Sequence, residues 1–279
     1  MKKLLIFLFY LFTINNVFSQ NDISQATSAI LKEGKLLYQS EMASWYGTDI
    51  FREKLKDKAP KVGGYFSYGE NEGAKCIFFS NDEIPKVIGS VSFDSTYNVN
   101  TARVDATERV FSPKEMSLYQ IRKKALATIK SDTLFKHYNN TNLNLIPLIE
   151  NNQKKVYVLT GPSVSGVVVF GNDYLLTYDN DHALVSVKRL HKNIIPINYE
   201  DKQEQNGIIT MHSHLPETGD FITATDICTL MLYEKFAKWK QHIVMSKNYV
   251  SLWDCNKDIL AILTREAWER IGKNEKGAN

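Results

Sequence analysis

Cysteine is scarce in this chain: Cys76, Cys228 and Cys255 stand far apart among 279 residues. None belongs to a CxxC pair, so a cysteine-based zinc cluster and a dithiol redox motif are not expected. One disulfide with one thiol left over is the most they allow. Cys228 falls on the apolar face of a helix-like segment, where cysteine acts as a small hydrophobe. Charge of one sign is also lacking. Lys and Arg number 34 against 31 Asp and Glu, a formal net charge of +3. No basic run is interleaved with aromatics, so nucleic acid is not an expected partner. Beyond the N-terminus no segment reaches the ~18 apolar residues that a membrane span requires. Phosphate-loop spacing, internal repeats and low-complexity tracts are missing too.

What is present begins with Lys2 and Lys3, followed by an apolar stretch from Leu4 to Ile14 broken only by Thr13, and then Val17-Phe18-Ser19. A basic start, an apolar core too short to span a membrane and a small-residue exit read as a secretory signal peptide over residues 1–19. No Cys follows the apolar core, so a lipid anchor is not expected. Loss of Lys2 and Lys3 changes the charge from +3 to +1. The expected mature chain is soluble, without a membrane span, and secreted or periplasmic.

Apolar spacing predicts a helix from Ile23 to about Tyr46. Strands follow at Gly63–Gly69, Ala74–Phe79 and Val87–Phe93. Ser112-Pro113-Lys114-Glu115 is a helix start, with Ser as cap, Pro in the first turn and Glu closing a capping box. Leu118, Ile121, Ala125, Leu126 and Ile129 continue it as an apolar stripe. The Asn- and Thr-rich stretch 131–144 reads as a boundary. It divides an N-terminal α+β region, 20–140, from a candidate metal-binding domain, 141–279. Beyond it, β-branched runs at 156–160, 164–170, 174–178, 184–190 and 194–198, separated by Gly, Asn and Asp turns, predict an antiparallel meander. A helix from Thr223 to about Lys240, a hairpin over 242–253 and a strand over 259–263 complete an α+β fold with a mixed, largely antiparallel sheet flanked by helices. The tail 273–279 is expected to fray.

The chemistry concentrates at Ile208-Ile209-Thr210-Met211-His212-Ser213-His214, followed by Thr223-Ala224-Thr225-Asp226. Alternation along a strand turns His212 and His214 to one side, about 7 Å apart along the backbone. Two neutral imidazoles so placed, with an Asp from the first turn of the next helix, form a three-ligand set for one divalent ion that leaves an open position. Asp220 is a reserve oxygen ligand. Thr223 and Asp226 also satisfy the pattern of a helix cap with an acidic first turn. His242, in an apolar strand, reads as a hydrogen-bonded core residue. His137 and His182 read as surface residues; His191 follows a strand and could reach the site, but it is not among the expected ligands.

His-x-His, a loop containing Pro, Thr-x-x-Asp, then a helix and two strands resembles the JAB/MPN (JAMM) metallopeptidase domain over residues 207–264. The resemblance implies Zn²⁺ held by His212, His214 and Asp226, with Thr223 in place of the Ser that steadies the tetrahedral intermediate. It implies a peptide or protein substrate and hydrolysis of a peptide or isopeptide bond. Leu215 replaces the family's Pro, which comes one place later as Pro216, and the loop before Thr223 is about one residue longer than usual. The family's upstream Glu general base has no counterpart in the strand Val156–Gly161; Glu150 is the nearest substitute. A positioned base contributes roughly 10²–10⁴ in rate, so metal binding and turnover are separate expectations. The alternatives are a catalytically degenerate JAMM-like binding module of the cell envelope and a structural protein without metal.

Overall fold

In the computed structural model, which describes residues 20–70, 73–199 and 207–277, the first apolar stripe forms one long helix, α1 (Gln20–Lys54). The signal-peptide reading of 1–19 lies outside the described residues. Strands β1 (Val62–Glu70), β2 (Gly73–Ser80), β3 (Val87–Phe93) and β4 (Arg103–Asp105) form an antiparallel sheet in that order. Helix α2 (Pro113–Ser131) opens on the expected capping box: Ser112 Oγ accepts from the Glu115 amide, and Glu115 Oε2 accepts from the Ser112 amide. Leu118, Ile121, Ala125 and Ile129 are buried, whereas Leu126 lies at the edge of the stripe, 36% exposed.

The expected boundary stretch is partly strand. β5 (Thr141–Glu150) pairs along its whole length with β6 (Gln153–Pro162), so Asn142 and Asn144 sit within a ladder. The following runs do not form one meander. β7 (Val167–Gly171) leaves this sheet and pairs with β10 (Ile194–Asn198). β8 (Tyr174–Tyr178) and β9 (Leu184–Arg189) stay with β6, giving the order β5-β6-β8-β9. Gly171 and Asn172 make the parting turn with positive φ. A side chain at Gly171 would meet the Asn193 carbonyl at 2.2 Å, so only glycine fits there.

A third sheet carries the His-x-His strand. β11 (Ile208–Ser213) runs parallel to β12 (Trp239–Met245), and helix α3 (Ala224–Tyr233) makes the crossover that a parallel pair requires. β13 (Tyr249–Asp254) and β14 (Ile259–Thr264) extend the sheet antiparallel, and α4 (Arg265–Gly277) follows. Two expectations are corrected. α3 ends at Tyr233 rather than near Lys240, because the chain turns at Lys238 (φ 55°) with the Trp239 amide on the Glu234 carbonyl, which buries Trp239 at the start of β12. The tail expected to fray is helical as far as Gly277.

α3 is buried almost all round, the pattern of a central helix. α1 lies directly against it: a Cβ at Gly34 would meet the Ile227 Cβ at 2.6 Å. Hydrophobic clusters cross residue 140, one joining Phe66 and Ile121 to Val156 and Tyr174, another joining Leu37 to Tyr157 and Cys228. The three cysteines are buried free thiols.

Candidate metal centre

Strand alternation sets the first two ligands. Along β11, Ile208, Thr210 and His212 are buried while Ile209, Met211 and Ser213 face out; His214, one residue past the strand, is buried on the same side. The third comes from the helix cap. Thr223 Oγ1 accepts from the Asp226 amide at 3.1 Å, while the Thr223 amide and hydroxyl donate to Asp226 Oδ2 at 2.9 and 2.8 Å. The carboxylate is therefore fixed by the cap, and the same Asp226 side chain is a candidate ligand. Its other oxygen, Oδ1, is buried without a hydrogen bond.

A fourth side chain joins them. His191, beyond the end of β9, places Nε2 3.2 Å from His214 Nε2 and 3.5 Å from Asp226 Oδ1. His212 Nε2 lies 3.1 Å from His214 Nε2 and 3.7 Å from Asp226 Oδ1, and His214 Nε2 lies 3.2 Å from Asp226 Oδ2. All four donor atoms fall within 4.8 Å of one another, and all four residues are buried. Metal–nitrogen bonds of about 2.0–2.1 Å imply tetrahedral edges of about 3.3–3.4 Å. These contacts, at 3.1–3.7 Å, bracket that value. Three imidazole nitrogens converge on the Asp226 carboxylate, two near Oδ1, which has no hydrogen bond, and one near Oδ2, and form a donor set that can hold a metal ion.

The outer layer fixes the rings. Thr210 Oγ1 lies 2.7 Å from His242 Nδ1, and His242 Nε2 lies 2.8 Å from His212 Nδ1. Two arrangements satisfy both contacts with neutral rings; in the one compatible with metal binding, His212 donates from Nδ1 to His242 Nε2, and His242 donates from Nδ1 to Thr210. That leaves the lone pair of His212 Nε2 facing the group, the tautomer a metal ligand needs. Phe170 stacks on His242 with centroids 4.9 Å apart and walls His212 at 5.2 Å. On the other side, Asp173 Oδ2 stands 3.3 Å from His191 Nδ1. It is in ion-pair range without a directed hydrogen bond, and Asp173 Oδ1 accepts from the Thr160 amide.

Electrostatics separate the rings. Burial lowers His212 to about 4, and burial together with neighbouring His212 holds His242 well below the usual imidazole value. Burial would also lower His191, but Asp226 and Asp173 overcome it and raise the ring to about 10. Burial opposes ionisation of Asp226, yet His191 and His212 keep it well below the ordinary carboxylate range. Burial raises Asp173, with His191 acting against it. In the metal-free group His191 is thus raised between two acidic side chains, Asp226 and Asp173.

Of the residues singled out from sequence, His212, His214, Asp226 and Thr223 come together. Glu150 does not join them: at the end of β5 it is partly exposed and paired with Lys32 of α1. Asp220 is held instead by Asn248 Nδ2, 3.2 and 3.1 Å from its two oxygens. Asp173 is not legible from the sequence, because a Gly-Asn-Asp turn reads as loop chemistry and no spacing ties it to the histidines. Comparison with protein-family models, with curated proteins and with solved structures returned no match.

Proposed function

We propose that this chain is a zinc-binding module with a JAMM-like ligand motif in which His191 completes a closed, four-ligand site. The supporting observation is the convergence of His191, His212, His214 and Asp226, whose donor atoms lie within 4.8 Å of one another, with five contacts among them at 3.1–3.7 Å. Four protein donors describe a structural site, whereas catalytic sites keep one coordination position open. Bound there, zinc would supply a compact double positive charge that the buried carboxylates offset. The chain's own residues do the rest. Asp226 anchors the N-terminus of α3, His212 and His214 anchor the end of β11, and His191 ties down the segment between β9 and β10. Zinc binding would therefore join three elements of the fold at one point. The position of Glu150 supports this reading over hydrolysis, since a general base must lie within hydrogen-bond reach of the proton it moves. The N-terminal Lys2, Lys3 and apolar stretch support a secreted or periplasmic location for the module.

A second reading, a metallohydrolase of peptide or isopeptide bonds, is favoured by one feature. His191 lies on the connection between β9 and β10, whereas His214 is tied to β12 by its amide on the Met245 carbonyl, so His191 is the one best placed to yield its position to a substrate. Zinc affinity of wild type and His191→Ala, measured by chelator competition, separates the two. A closed site loses affinity by about 100-fold or more with one of its four ligands. An open three-ligand site keeps its affinity in the variant and turns over peptide substrates in wild type.

A further inference from the structure

Away from the histidines, α1, β1, α2, β5 and the end of α3 enclose a cavity of about 300 Å³. Two groups of opposite charge line it without meeting. Arg122 of α2 has a buried Nε without a partner, and its guanidinium makes no hydrogen bond or ion pair among the described residues. Glu41 of α1 accepts one hydrogen bond, from Asn144 Nδ2 at 3.2 Å, and makes no ion pair among the described residues. The two attract each other across the space between them. Both side chains are partly buried, and Arg122 Nε is fully so; charged atoms withdrawn from water are ordinarily paired, and side chains as long as Arg and Glu readily close a gap when nothing needs to fit between them.

From this arrangement we infer that the cavity binds a small zwitterion, a free α-amino acid, with its carboxylate on Arg122 and its ammonium on Glu41. A simple anion would satisfy Arg122 and repel Glu41; a simple cation would do the reverse. Only a molecule carrying both charges satisfies both walls. Trp45, Tyr65 and Tyr233 also line the cavity, with Trp45 43% and Tyr65 39% exposed and the Trp45 and Tyr233 rings 6.1 Å apart. Aromatic faces beside a carboxylate suit an ammonium group. Burial raises Glu41 to about 7 and lowers Arg122, the cost of holding two unpaired charges that a bound zwitterion would relieve.

The test is calorimetric titration of the purified full chain with each standard amino acid, then with the α-amide and the N-acetyl derivative of any that binds. At least one free amino acid should bind at micromolar to millimolar concentration. Blocking either end should weaken it by about tenfold or more, the worth of a hydrogen bond to a charged group. Arg122→Gln should remove the preference for acid over amide, and Glu41→Gln the preference for amine over N-acetyl. The derivatives make the comparison on wild-type protein even if a variant fails to fold. Absence of binding by every amino acid at millimolar concentration, or affinity indifferent to both blocked ends, would overturn the inference.

Discussion

His242 Nε2 lies 2.8 Å from His212 Nδ1, so a core histidine is placed to accept the Nδ1 proton of a candidate ligand and leave its Nε2 free. His242→Phe keeps a ring against Phe170 and removes the acceptor. Outer-shell partners of ligating histidines are worth about 10–100-fold in metal affinity, and a loss of that size is expected. Chelator competition on the folded variant measures it, and unchanged affinity would show that His212 is oriented by packing alone.

Thr223 both caps α3 and holds Asp226 Oδ2. Thr223→Ser should be nearly silent. Thr223→Ala should cost about 1 kcal/mol of stability through the lost cap, and should weaken zinc binding as well because the carboxylate is released. Urea unfolding and zinc titration of the two variants report the two effects separately.

The contact of Gly34 with Ile227 places α1 against the helix that carries Asp226. Gly34→Ala forces a methyl group into the Ile227 side chain. The expected loss is about 1–3 kcal/mol, the usual cost of overpacking, despite the better helix propensity of alanine. Equal or greater stability in urea melts would mean that the two helices part freely.

Metal removal gives a further prediction. A ligand bound only by the folded state adds about 2.7 kcal/mol when present at 100 times its Kd. Thermal melts should therefore rise with zinc concentration and fall with chelator, whereas a His212→Ala/His214→Ala double variant should melt at one temperature in both conditions.

Glu234 predicts the pH dependence of the metal-free protein. It is 1% exposed, accepts from Trp253 Nε1 at 2.7 Å, and is raised by burial to about 8. Between the ordinary carboxyl value and about 8 the folded state binds more protons here than the unfolded state, so this contribution to stability is complete at low pH and is lost as pH rises through that window. Glu234→Gln keeps an acceptor for Trp253 and removes the charge. It should flatten the decline and gain about 1–3 kcal/mol above pH 8. Parallel pH profiles of both proteins in urea check this.

Local patterns carried much of the structure into the sequence. Period-two burial in β11 placed His212 and His214 on one face, and the Ser112 and Thr223 caps marked two helix starts within a residue. His191 was legible only as a histidine after a strand. Its approach depends on β7 leaving the meander to pair with β10, a long-range choice that β-branched runs of equal strength do not reveal. Asn142 and Asn144 concealed β5 because their composition suggests a loop, while the full-length ladder with β6 overrides that preference. Glu150 is the carboxylate that most closely precedes the strand Val156–Gly161 along the chain, but the fold turns it to Lys32.

The most direct test of the proposed zinc centre is X-ray absorption at the zinc edge of the reconstituted protein, which counts the donors and identifies imidazoles by multiple scattering. A closed site predicts four nitrogen and oxygen donors near ~2.0–2.1 Å, three of them imidazole, falling to two imidazoles in His191→Ala. A wild-type spectrum with two imidazoles, unchanged in that variant, would contradict the closed site; failure of the wild type to retain zinc would contradict the metal centre itself.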